Sequence, residues 1–128
     1  MTQEEKQLMI QDLCARLPYG VKVEDRNGTH ALSIGNTEFT DLFGGKYNIK
    51  PYLRPMSSMT DEEKEELKEI SNDYLDEWEN AKTPIERLKL DAKVSYKRAV
   101  FYNSHHLDWN GLIEKNLALD CTGLHIYD

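Results

Sequence analysis

The sequence predicts an α+β fold: an N-terminal helix, a small antiparallel sheet of three or four strands, a C-terminal helical hairpin and a short last helix. Three observations carry that prediction. The pattern Thr-x-x-Glu occurs at Thr2, Thr60 and Thr83, each time ahead of apolar residues at helical spacing. An Asn27-Gly28 pair sits between two short alternating runs. Glycine and proline separate these stretches at Pro18, Gly20, Gly44, Gly45, Pro51 and Pro55. The 128 residues are the length of one domain. The chain is therefore read as a single domain over 1–128, with a helix at 2–17, a sheet at 20–50 and a helical part at 60–119.

The first helix starts at the Thr2-x-x-Glu5 box, where the hydroxyl accepts from the third helical N–H and the carboxylate reaches back. Met9, Ile10, Leu13, Cys14 and Leu17 follow on one face, and Pro18 and Gly20 end the run. The period then changes. Val21 and Val23 alternate with polar residues before the Asn27-Gly28 turn, and Leu32 and Ile34 alternate after it. Gly35-Asn36 suggests a second turn. Phe39, Leu42 and Phe43 suggest a third short strand, and Tyr47–Lys50 a last one.

Pro51 and Pro55 make residues 50–59 an extended, stiff connector. Thr60-x-x-Glu63 opens the next helix with acids in its first turn, where the helix dipole favours them. Leu67, Ile70, Tyr74, Leu75 and Trp78 form its apolar stripe. Thr83-Pro84-Ile85-Glu86 opens the following helix, with proline where its missing N–H costs nothing. That helix carries two stripes: Ile85, Leu88, Ala92, Tyr96 and Ala99, then Leu90, Val94 and Phe101. Two apolar sides place it more centrally than its neighbours. Asp108 caps a short last helix carrying Leu112, Ile113, Leu117 and Leu119, and the tail beyond is loosely held.

Composition bounds the function. Hydrophobic residues make up 39% and charged residues 30%, as in soluble globular proteins. No stretch approaches the ~20 apolar residues of a membrane span, and the polar, acidic start is not a signal peptide. Cys14 and Cys121 form no CxxC pattern, which fits two free thiols in a reducing cytoplasm. A net charge of −7 argues against a general nucleic-acid binder. The charge is uneven. Between residues 61 and 80, ten acids stand against two lysines, leaving −8. Between 81 and 103, six basic residues stand against Glu86 and Asp91, leaving +4.

Three segments, DLCARLPYGVK (12–22), IKPYLRPMSSMT (49–60) and HHLDWNGLIEKNLAL (105–119), resemble segments of a set of short uncharacterised proteins of gut bacteria and their prophages. They cover about a third of the chain. The resembling proteins carry Arg where this chain has Asn110 and Gly where it has Asn116, and residues 23–48 and 61–103 match less well. The resemblance implies a prophage or mobile-element setting and brings no activity with it.

Each candidate for chemistry has a plain structural alternative. His105, His106 and Asp108 are the densest group of metal-capable side chains, with Asp120, Cys121 and His125 as further donors. Zinc needs three or four donors at ~2.0–2.3 Å, and neighbouring histidines on an extended chain point apart. A helix corner explains the trio as well, and no metal is favoured. Cys14 lies near a helix C-terminus, where the dipole opposes a thiolate, and reads as a buried hydrophobe. Gly44-Gly45-Lys46 lacks the spacing of a phosphate loop. No cofactor motif is present. The acids Glu62, Glu66, Glu69 and Asp73 offer a surface for a protein partner or a mimic of nucleic-acid phosphates, or they are a solvated face paired with the basic helix. Tyr52 and Arg54 offer a small aromatic–arginine contact. The reading that results is a non-enzymatic interaction protein. A metal-binding protein or enzyme at His105/His106/Asp108, and a weak nucleic-acid binder, are the alternatives.

Overall fold

A computed structural model describes residues 2–25, 28–32 and 49–128. The expectations on Ile34, Gly35-Asn36, Phe39, Leu42, Phe43, Gly44-Gly45-Lys46 and Tyr47-Asn48 lie outside the described residues. The fold is α+β, with an N-terminal helix, a four-stranded mixed sheet and two long helices. The chain divides into two compact units, Met1–Ser58 with His106–Asp128, and Met59–His105.

In the first unit, α1 spans Gln3–Arg16. Its capping box is complete: Thr2 Oγ1 accepts from the Glu5 N–H at 3.1 Å and Glu5 Oε1 accepts from the Thr2 N–H at 2.9 Å. The Thr2 N–H bond to the charged carboxylate, with the Thr2 hydroxyl beside it, also lowers the Glu5 pKa. A short 3₁₀ turn, Leu17–Tyr19, follows and ends at Gly20, whose φ of 71° is the left-handed geometry that glycine adopts without strain. Met9 and Leu13 are fully buried, whereas Cys14 is exposed. The expected burial of Cys14 is thus overturned, because Asp12, Leu13 and Arg16 take the inward positions of that last turn.

The strands are β1 (Lys22–Asp25), β2 (Gly28–Ala31), β3 (Lys50–Leu53) and β4 (Leu119–Asp120), in the order β2-β1-β3-β4. Register pairs Asp25 with Gly28, so Gly28 opens β2 with φ 101°. Three corrections follow. The first part of the proposed connector 50–59 is sheet, since Lys50–Leu53 forms β3. Pro51 is tolerated because it sits near the strand start, and β4 joins only from Tyr52 onward. Secondly, the sheet is not wholly antiparallel, since Tyr52 pairs with Leu119 in parallel. Thirdly, Asp108 caps turns rather than a last helix. Its carboxylate accepts from the N–H groups of Leu112 at 2.7 Å and Ile113 at 3.0 Å, and the chain then enters β4.

The core of this unit joins Met9, Leu13, Val21, Val23, Leu32, Ile49, Leu53, Leu112, Leu117 and Ala118. Beside it lies a buried polar knot. Arg16 Nε donates to Asp12 Oδ2 at 2.8 Å, Arg16 Nη2 donates to the Leu107 carbonyl at 2.6 Å, and Asn110 Nδ2 donates to Asp12 Oδ1 at 2.9 Å. The tail is tied down, contrary to expectation. The Tyr127 hydroxyl accepts from the Lys22 N–H at 2.8 Å and donates to the Tyr52 carbonyl at 2.7 Å. Its ring stacks on His106 at 3.5 Å between centroids.

The second unit is a helical hairpin of α2 (Asp61–Asn80) and α3 (Pro84–Ser104). Thr60 and Glu63 form a complete capping box. At Thr83 only half of the box forms: the Thr83 hydroxyl accepts from the Glu86 N–H at 3.2 Å, while Glu86 Oε2 accepts from Lys82 N–H at 2.7 Å. Leu90, Val94 and Phe101 of α3 are buried, and Leu67, Ile70, Tyr74 and Trp78 of α2 are half-buried. Leu75 is 57% exposed, off the stripe it was assigned to. Of the described residues, no helix is long and apolar enough to cross a membrane.

Candidate functional site

The hairpin holds a surface that its own packing leaves unused. An α-helix turns about 100° per residue, so Val94 lies opposite Ile85 on α3. The Leu90–Val94–Phe101 side is the buried one. The other side carries Ile85, Leu88 and Tyr96, which are 67%, 70% and 71% exposed, with exposed Ala92 between them. The expectation that two stripes bury α3 from two sides is therefore corrected. Both stripes exist, and one of them faces solvent apart from Ala99, which is half-buried. Single exposed apolar residues are ordinary; here three large ones, with Ala92, line one face of the same helix.

Polar contacts along the hairpin fix the rotation of α3 and so hold this row outward. The Tyr74 hydroxyl donates to Asp91 Oδ1 at 2.6 Å, and that bond to the carboxylate raises the Tyr74 pKa. Lys93 Nζ lies 3.1 Å from Glu77 Oε1, Arg98 Nη2 donates to Ser71 Oγ at 3.2 Å, and the Arg87 guanidinium sits 4.9 Å above the Trp78 ring. At the far end His105 Nδ1 lies 3.0 Å from Glu63 Oε2 and Nε2 lies 3.6 Å from Glu66 Oε2. The Phe101 ring packs at 4.7 Å from the imidazole. Lys89, next to the exposed row, is exposed and has no ion pair among the described residues.

The acids singled out in the sequence lie on α2. Glu62, Glu66, Glu69 and Asp73 are all exposed. Glu66 approaches His105, whereas Glu62, Glu69 and Asp73 make no ion pair among the described residues. Tyr52 is only 8% exposed, and its hydroxyl donates to Glu24 Oε2 at 2.8 Å. Arg54 is half-buried and donates through Nη2 to the Ser58 carbonyl at 3.1 Å. The metal candidates are engaged separately: His105 by Glu63, His106 by the Tyr127 ring and Asp108 by two backbone N–H groups. Among the described residues no group of three His, Cys, Asp or Glu side chains is placed to hold a metal ion.

The first unit also has an open cleft of about 270 Å³ beside the tail, lined by Arg54, Ser58, Cys121, His125, Tyr127 and Asp128 among others. Its titratable groups are committed. Burial raises the Cys121 thiol pKa, which keeps sulfur protonated and a poor nucleophile. His125 pairs with Asp128. The exposed row of α3 was visible in the sequence as a stripe but not as a surface. The signal was available: a hairpin helix with two stripes has one partner helix to bury one of them.

No family model, no curated protein and no solved structure matches this chain.

Proposed function

We propose that the protein works by binding another protein, without chemistry of its own, and that the helical hairpin is the part that docks. The observation that carries this is the outward row of Ile85, Leu88 and Tyr96 on α3, each more than two-thirds exposed. Such a row costs solubility and contributes nothing to the hairpin's own packing. The resemblance to short proteins of gut bacteria and their prophages supports a mobile-element setting, and two free thiols suit a reducing cytoplasm.

The test compares capture from a gut-bacterial host lysate by the full chain and by the variant Ile85→Asp/Leu88→Asp/Tyr96→Asp. A captured protein that disappears with the variant, whose circular dichroism is unchanged, is the expected result. Identical capture by both chains removes the reading. A second reading is favoured by Glu62, Glu69 and Asp73, exposed acids along α2 with no ion pair among the described residues. These could imitate phosphates and occupy a basic, nucleic-acid-binding protein. Capture that survives the α3 variant but is lost in Glu62→Gln/Glu69→Gln/Asp73→Asn would decide for it.

A further inference from the structure

We infer that the exposed face of α3 takes an amphipathic helix of another protein, one whose apolar seam is flanked by acidic residues. This rests on the reading above and names the chemistry of the partner.

The spacing comes first. Ile85, Leu88, Ala92 and Tyr96 recur at intervals of three and four, the rhythm of a helix–helix seam. At about 1.5 Å per residue the row runs about 17 Å, some three turns of a partner helix. Ala92 sits in its middle, where a small side chain lets two helices approach closely. Ile85 and Leu88 at one end and Tyr96 at the other supply the large contacts.

Charge then selects among occupants. The stretch 81–103 carries six basic residues against two acids, a net +4. Lys89 stands at the edge of the row with no ion pair among the described residues. A second copy docking row to row would bring another helix of net +3 against the first, and like-charge juxtaposition across an interface is penalised. An anionic membrane would be repelled by the hairpin as a whole, since the −8 of residues 61–80 outweighs the +4 of residues 81–103. A single acid-flanked helix touches α3 alone and meets Lys89, so it is the occupant that both the apolar row and the charge accept.

The experiment uses the full chain, isotope-labelled for NMR, and two synthetic peptides of about 18 residues, long enough to form helix on contact. Both carry Leu and Ile at seam spacing; one has Glu on the flanks and the other Lys. The Glu peptide is expected to bind about tenfold tighter at low salt. It should shift the resonances of Ile85, Leu88, Ala92 and Tyr96. In Lys89→Glu, with unchanged circular dichroism, the preference should shrink or invert. Equal binding of the two peptides overturns the inference, as do shifts that map elsewhere. A concentration-dependent dimer abolished by Leu88→Glu overturns it in favour of a second copy. Anionic vesicles that bind the chain and lose it in Leu88→Glu overturn it in favour of a membrane. A host partner that requires the row but shows no acid preference sinks this inference and leaves the protein-binding reading standing.

Discussion

Asp12 and Arg16 are the residues on which the first unit's polar packing turns. Both side chains are fully buried and pair at 2.8 Å; the Leu107 carbonyl accepts from Arg16 and Asn110 donates to Asp12, while Arg16 Nη1 has no hydrogen-bond partner among the described residues. Removing one partner leaves the other charge buried and unpaired, a loss of about 3–5 kcal/mol. Asp12→Ala is therefore expected to lower the urea midpoint strongly. The double change Asp12→Leu/Arg16→Met should cost much less than either single change, as double-mutant unfolding curves would show. The thiols give a second residue-scale prediction. Cys14 is exposed and Cys121 is 7% exposed with a raised pKa. One thiol should react quickly with an alkylating reagent at neutral pH, and mass spectrometry should place the label on Cys14. Labelling of Cys121 at the same rate contradicts the burial. Tyr127 gives a third. Burial, partly offset by its hydrogen bond to the Lys22 backbone, pushes its hydroxyl up to about 12. The usual tyrosine value is about 10, so the folded state holds the proton more tightly than the unfolded state does. The stabilisation is complete below pH 10 and is lost as the pH rises towards 12. A difference titration at the phenolate absorbance should show one tyrosine, missing in Tyr127→Phe, that ionises last.

At the scale of elements, legibility follows the range of the interactions. Thr2–Glu5 and Thr60–Glu63 were readable because a capping box is contained in four residues. Thr83–Glu86 shows the limit, since Glu86 reaches Lys82 instead and the proline at the first position supplies no N–H. Expected costs follow: Thr60→Ala should lose about 1 kcal/mol of hairpin stability. Thr83→Ala should lose less, because a single bond at 3.2 Å is at stake. Melting of the two variants compares them directly. Lys50–Leu53 was read as connector because it is made a strand by neighbours far away in sequence, Val23 on one side and Leu119 on the other. A short last helix capped by Asp108 was expected because Leu112, Ile113, Leu117 and Leu119 suggest helical spacing. Asp108 takes the first two of those N–H groups into turns, and Asn116, with φ 60°, is left-handed where a helix needs the right-handed form. The surface on α3 was half-legible. Periodicity gives the two stripes, and only the three-dimensional arrangement says which of them has a neighbour.

At the scale of the whole chain, the hairpin is an insertion. It leaves the first unit after Ser58 and the chain re-enters that unit at His106. Within the first unit those two points are held together: the Arg54 N–H donates to the His106 carbonyl at 2.8 Å, the Asp108 N–H donates to the Arg54 carbonyl at 2.8 Å, and Arg54 bridges Leu107. Replacing residues 59–105 by a short Gly/Ser linker should therefore leave the first unit able to fold. Cooperative urea unfolding and retained burial of Cys121 are the measurements. Loss of both would show that the unit depends on the hairpin.

The same clamp sets an order of events on the ribosome. The first unit cannot close its core until Leu107, Leu112, Leu117 and Ala118 have been made, and all four belong to the last stretch of the chain. The hairpin, complete at His105, emerges before them. Met9, Leu13, Val23 and Leu53 stay without that cover until those residues are made. A chain cut just past His105 therefore lacks what closes the first core, and only the hairpin within it has its own packing complete.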